Sequence, residues 1–188
     1  MAQRTLDGLR VAILATDDFE QVELIEPRKA LDDAGAITTV VAPKSGSIQA
    51  MKHDEKVDKV TVDKSLAEVS ADDFDALVLP GGALNADNLR VVPEAQKLAL
   101  SIDQAGKPIA VICHGPWLLV SAGLVKGRRI TSYHTIQDDL RNAGATWEDK
   151  EVICDRNWVS SRHPGDIPAF NREMIKLFSE ARISRKVA

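Results

Sequence analysis

Cysteine is scarce. Cys113 and Cys154 are the two in 188 residues, too few for a disulfide framework. Long hydrophobic runs are missing too, and no apolar stretch approaches the ~20 residues a bilayer-spanning helix needs. The segment Met1 to Gly8 lacks the apolar core of a signal peptide. Basic charge is not in excess: 24 Lys and Arg stand against 28 Asp and Glu, a net charge of −4. That balance argues against a nucleic-acid partner. Trp117, Trp147 and Trp158 are too dispersed for a base-stacking platform. Neither a dinucleotide nor a P-loop fingerprint occurs, nor H-E-x-x-H, nor C-x-x-C. The four histidines show no metal-ligand spacing. The expectation is a cytoplasmic protein with reduced thiols, no membrane contact, no metal and no cofactor.

What is present suits a globular domain: 44% hydrophobic and 28% charged residues. The length allows a single domain over 1–188 with its core at about 10–180. Four short, nearly continuous apolar runs stand out: Arg10–Ala15, Ile37–Ala42, Asp75–Leu79 and Pro108–Ile112. Runs without polar alternation suit strands buried on both faces of a parallel sheet. Helical patterns lie between them. Val22, Leu24, Ile25 and Leu31 recur at helical spacing before Gly35. Pro93 opens a helix over Glu94 to Gln104, with Gly106 beyond its end. Gly115 to Ala122 reads as a short apolar helix. A last helix runs from about Asp166 to Ala181, with Ile167, Phe170, Met174, Ile175 and Phe178 on one face.

Two stretches break the alternation. Ser47 to Asp63 reads as a hairpin or small side sheet. Glu151–Cys154 and Asn157–Ser161 read as a second hairpin turning at Asp155-Arg156. The run Lys52 to Lys56 and the basic tail at 182–188 read as a solvated face and a frayed end. The sum is a flavodoxin-like three-layer α/β/α sandwich with a mostly parallel central sheet. Such a sheet places its site at the carboxyl ends of its strands.

Three of those ends carry chemistry: Thr16-Asp17-Asp18-Phe19-Glu20, Pro80-Gly81-Gly82 and Cys113-His114-Gly115-Pro116. A cysteine at a strand-to-helix turn, with glycine two residues on, has the form of a nucleophile elbow. The sharp turn exposes the sulfur, the following helix N-terminus favours thiolate, and free backbone N–H groups can bind an oxyanion. Cys113 is therefore the candidate nucleophile, although a free cysteine is often an inert buried one. Cys154, inside a strand pattern, is read as inert.

Glu20 admits two readings. Asp17-x-x-Glu20 resembles a capping box, while a carboxyl at this strand end could also share a proton with Cys113. His114 is a candidate base, with sequence adjacency as weak support. His134, after Tyr133, is placed to line the cleft. Arg162 and His163 open the last strand-to-helix junction, where His163 could reach Cys113 or simply sit beside a helix cap. His53 lies in the charged hairpin.

Several blocks together carry a family resemblance. They are Asp18-Phe-Glu20 with Gln21-Val-Glu23, Asp73–Gly82, Ala110-Val-Ile-Cys-His-Gly-Pro116, Ser121–Arg128, Asn142-Ala-Gly144 and Asn157–Arg162. With them the chain resembles the ThiJ/PfpI superfamily, most closely its PfpI-like branch of intracellular protease-like and stress proteins. The resemblance spans about Arg10 to Phe178. It implies a fold related to class I glutamine amidotransferases and a homo-oligomer, a dimer or higher. It implies Cys113 as nucleophile, Glu20 hydrogen-bonded to it, and backbone oxyanion donors around Gly82 and His114. In protease-like members His114 would pair with Cys113 and be oriented by an acid from a neighbouring subunit, matched here by Asp87. Three functions follow from such a scaffold: a glyoxalase or deglycase acting on small carbonyls or on glycated protein, a cysteine peptidase or amidase, and a peroxide sensor using Cys113. Fold alone does not choose among them.

Overall fold

The structure, a computed structural model, describes residues 5–187, with side chains to residue 181. The first residues of the Met1–Gly8 segment and residue 188 lie outside the described residues. Along the chain run β1 (Arg10–Leu14), β2 (Phe19–Glu20), α1 (Gln21–Asp33), β3 (Ile37–Ala42), β4 (Ser47–Lys52), β5 (Glu55–Thr61) and β6 (Lys64–Ser65). Then come β7 (Ala76–Leu79), α2 (Ala83–Leu89), α3 (Pro93–Gln104), β8 (Ile109–Ile112) and α4 (Pro116–Ser121). The remainder is β9 (Arg129–Ile130), α5 (Gln137–Asn142), β10 (Thr146–Trp147), β11 (Val152–Asp155), β12 (Trp158–Ser161) and α6 (Ile167–Val187).

Seven strands form the main sheet in the order β11-β12-β8-β7-β1-β3-β6. Every neighbouring pair is parallel except β11–β12. Alternate side chains of β1 enter opposite cores, as a two-residue period requires. Val11 and Ile13 pack with Leu24 and Leu31 of α1 and Phe170, Met174 and Phe178 of α6. Ala12 and Leu14 pack with Leu98 and Ile102 of α3 and Leu118 and Leu119 of α4. Helices therefore cover both faces, and the sandwich has three layers. Each fully buried Leu or Phe contributes roughly 1.5–3 kcal/mol to this closure.

The two irregular stretches resolve differently. Ser47–Asp63 forms the expected hairpin of β4 and β5, and β2 joins it to make a separate three-stranded sheet. The second hairpin is not a side feature. β12 pairs in parallel with β8 and so extends the main sheet. Its turn also lies one residue later than expected. Asp155 pairs with Trp158, leaving Arg156-Asn157 as the turn, with Arg156 at φ 53°. At the C-terminus α6 carries helical backbone through Val187.

Candidate active site

The elbow is built by β8, α4 and the three residues between them. Cys113 has φ 61°, a left-handed conformation unusual for a side chain with a Cβ. Such backbone costs of order 1–3 kcal/mol and persists only where neighbours over-determine it. They do so here. Cys113 N–H donates to Ser161 O at 3.0 Å, and Tyr133 N–H donates to Cys113 O at 2.9 Å. Gly115 lets α4 start this close to the sheet, since a Cβ there would lie 2.7 Å from Leu79 O.

The sulfur meets groups from three segments. His114 Nδ1 is 3.1 Å from Cys113 Sγ. The backbone N–H groups of Gly82 and His114 hydrogen-bond the sulfur. The Glu23 carboxyl lies against the thiol, and its Oε2 accepts from Gly81 N–H at 2.9 Å. Gly81 is required by this crowding: a Cβ there would collide with Glu23 Oε2 and stand 2.5 Å from Cys113 Cβ. Fully buried Asn85 ties the strand ends together. Its Nδ2 donates to Gly81 O at 2.9 Å, and its Oδ1 accepts from Thr16 N–H at 2.7 Å.

Glu23, not Glu20, is thus the carboxyl against Cys113, which corrects the expected Glu20–Cys113 hydrogen bond. The reason is where α1 begins. Helical geometry starts at Gln21, so Glu20 precedes the helix in β2 and turns toward the side sheet. Glu20 Oε2 accepts from His53 N–H at 3.0 Å. The expected capping box does not form either, because Asp17 Oδ1 accepts from Gln49 N–H at 2.9 Å instead. Glu23 shares a buried stripe with Pro27 and Leu31, at successive steps of four residues. A carboxyl on that stripe was the available sequence signal. Asn85, inside a polar-looking helix start, offered no comparable one.

Burial, helped by the nearby Glu20 charge, pushes the Glu23 carboxyl up to about 8. Burial and the Glu23 charge also push the Cys113 thiol up, against backbone hydrogen bonds from Gly82 and His114 that pull it down. The two groups titrate as a pair. With Glu23 protonated, the like-charge cause on the thiol vanishes and the carboxyl can donate toward sulfur. Burial and the neighbouring His134 hold His114 down, favouring its neutral form. A neutral imidazole beside a thiol is a competent base.

These groups open into a cavity of about 670 Å³. All four histidines of the chain reach its lining. The His134 ring is tilted against Tyr133, with centroids 4.6 Å apart, and Tyr133 stacks on His114 at 4.8 Å. His163 lies at the rim, where its Nδ1 accepts from Gly165 N–H at 3.2 Å, so it caps its own turn. Arg162 is not in this lining; it pairs with Asp166 at 2.9 Å and Asp149 at 2.8 Å. Asp87 is exposed on α2 and outside the lining, and Thr135 Oγ1 rather than an acid stands 3.3 Å from His114 Nε2. Cys154 is exposed on β11. Among the described residues no group of three His, Cys, Asp or Glu could hold a metal ion, and no helix is long and apolar enough to cross a membrane.

Residues 9–177 match the DJ-1/PfpI family. A deglycase of Pyrococcus abyssi is 48% identical over 169 residues, covering 90% of this chain and 99% of the relative. General stress protein 18 of Bacillus subtilis is 41% identical over 174 residues, covering 92% of this chain and 99% of the relative. The crystal structure of Drosophila melanogaster DJ-1beta shares the fold with a TM-score of 0.81 at 27% identity, covering 96% of this chain and 99% of that one. A buried elbow cysteine, a sandwich of this topology and a match along nearly the whole sequence agree: the chain belongs to the DJ-1/PfpI family.

Proposed function

We propose that the protein is a cysteine-dependent deglycase that removes methylglyoxal-type adducts and releases the carbonyl carbons as lactate. The observation that carries this reading is the convergence of Glu23, His114 and the Gly82 N–H on Cys113 at the floor of an open cavity. Its relatives with the deglycase name lend support.

Cys113 Sγ adds to the aldehyde-derived carbon as His114 Nδ1 takes the thiol proton. The bond from that carbon to the adducted nitrogen or sulfur breaks, and that leaving group departs with a proton. The resulting hemithioacetal loses its C–H proton to a base and regains one on the neighbouring carbon, giving a thioester. Water cleaves the thioester to lactate and restores the thiol. Adduct plus water gives free amine or thiol plus lactate, with no oxidant consumed. The Glu23 carboxyl holds the sulfur, while the N–H groups of Gly82 and His114 are the donors nearest to a developing oxyanion.

The amidase reading needs an acid behind His114 from a neighbouring subunit; within the chain Thr135 Oγ1 stands at that place.

The test compares wild type, Cys113→Ser and His114→Ala on preformed methylglyoxal adducts, with lactate and free aldehyde both measured. Loss of lactate by at least about 100-fold is expected in Cys113→Ser, and by about 10²-fold or more in His114→Ala. Lactate appearing at the wild-type rate in Cys113→Ser sinks the proposal. So does cleavage of a fluorogenic peptide with the same residue dependence and no lactate.

A further inference from the structure

Among the described residues, the cavity above Cys113 is lined by three carboxyl groups, those of Asp18, Glu20 and Glu23, and by no lysine or arginine. Glu23 is occupied with the thiol and Gly81. Glu20 is different. It is 8% exposed, and one oxygen is fixed by the His53 N–H at 3.0 Å. The same residue lines the cavity. The lining also includes Tyr133, whose ring forms a shelf with His114 at 4.8 Å. A fixed carboxylate and an aromatic ring lining one cavity are the combination that recognises an organic cation, above all a planar guanidinium.

We propose that Glu20, with Asp18 and Tyr133, forms a cation subsite that selects substrates carrying a guanidinium, so that arginine adducts are favoured over neutral cysteine adducts. This rests on the deglycase reading for the identity of the substrate, but not for the existence of the subsite. The guanidinium of an early arginine adduct keeps its charge, whereas a cysteine hemithioacetal has none. Anions meet like charge at the Asp18 and Glu20 carboxyls.

The subsite is tested without turnover. In a Cys154→Ser background, Cys113 is the one thiol, and its labelling is timed by intact mass. The probes are a trimethylammonium-ethyl and a sulfonatoethyl methanethiosulfonate, which transfer the same thioethyl linkage with opposite charge. After normalisation to the same pair reacting with free N-acetylcysteine, the cationic reagent is expected to be favoured by about tenfold or more. Glu20→Gln is expected to lower that preference by about tenfold, and Asp18→Asn by less. A normalised ratio near one, or a ratio unchanged in Glu20→Gln, overturns the proposal.

A second arm compares lactate release from methylglyoxal adducts of N-acetylarginine and N-acetylcysteine. An arginine preference that falls in Glu20→Gln supports the substrate assignment. Equal turnover of both adducts overturns it while leaving the deglycase reading intact. No turnover of either, together with clear charge selectivity in labelling, removes the deglycase reading and leaves the cation subsite standing.

Discussion

Buried charge occurs at both ends of the main sheet, on different terms. At the amino ends of β8 and β12, Asp103 Oδ1 accepts from Arg128 Nη2 at 2.8 Å, Asn157 Nδ2 at 3.0 Å and Trp158 Nε1 at 2.7 Å. Arg128 lies over the Trp158 ring at 4.1 Å, and its other arm reaches Asn157 Oδ1 at 2.9 Å. Asp103 and Arg128 thus satisfy each other. At the carboxyl ends, Glu23 receives one backbone donor, and its Oε1 is buried with no hydrogen-bond partner. A satisfied cluster holds strands in place. An under-satisfied carboxyl keeps its proton and stays available to the sulfur beside it.

The largest effect is expected from breaking the satisfied cluster. Asp103→Ala removes the acceptor shared by Arg128, Asn157 and Trp158 and leaves Arg128 only the longer Asp155 ion pair at 3.9 Å, so it should lower stability by about 3–5 kcal/mol in urea unfolding. Cys113 labelling rates, measured where the variant is still folded, should stay near wild type. A loss under about 1 kcal/mol would remove the contrast between the two ends.

Glu23→Gln should act in the opposite direction. The carboxyl is raised from 4.5 to about 8 in the folded protein. Between those values the folded state holds a proton that the unfolded state has released, so stability falls as pH rises through that window. Glutamine cannot ionise and escapes this. The variant should therefore be more stable than wild type by roughly 3 kcal/mol at pH 7, with the gain fading toward pH 4.5. Thermal or urea unfolding at pH 5 and pH 7 checks it, and an equal difference at both values would contradict the assignment.

The same proton should shape the rate. Above about pH 8 Glu23 becomes an anion beside the sulfur and disfavours the thiolate needed for attack. Wild-type activity should fall on that alkaline side, up to about tenfold per pH unit. In Glu23→Gln the fall should be absent, whatever the absolute rate. An identical limb in both proteins would assign it to another group.

How much of this was legible before the structure follows from the same contrast. β1, β3, β7 and β8 are continuous apolar runs, and their two-sided burial writes itself into composition. β12 does not, because Ser160 and Ser161 are buried polar residues. They are tolerated since Ser161 Oγ donates to Glu151 O at 2.7 Å and Ser160 Oγ accepts from Thr131 N–H at 3.1 Å. Cys113 was legible from a local strand-turn-helix pattern, as was the glycine turn after β7. Glu23 was not, because which carboxyl reaches the sulfur depends on the start of α1 to within a residue. Of the four histidines that line the cavity, His53 was the hidden one, since its hairpin reaches the elbow only in the fold.

The smallest effect concerns the elbow itself. Cys113 holds φ 61° although it has a Cβ. If the hydrogen bonds from Cys113 N–H to Ser161 O and from Tyr133 N–H to Cys113 O impose that conformation, replacing the residue by glycine should release the cost. Sulfur loss must be separated from backbone relief, so the comparison runs between Cys113→Ala and Cys113→Gly, both inactive and both without sulfur. The glycine variant should be the more stable by about 1 kcal/mol, because alanine keeps the Cβ that disfavours left-handed backbone. Alanine equal to or more stable than glycine would mean that the elbow relaxes once the sulfur contacts with Glu23, Gly82 and His114 are gone. The strain would then belong to the sulfur's partners rather than to the strand-to-helix turn, and the carboxyl end of the sheet would be preorganised by its chemistry instead of by its backbone.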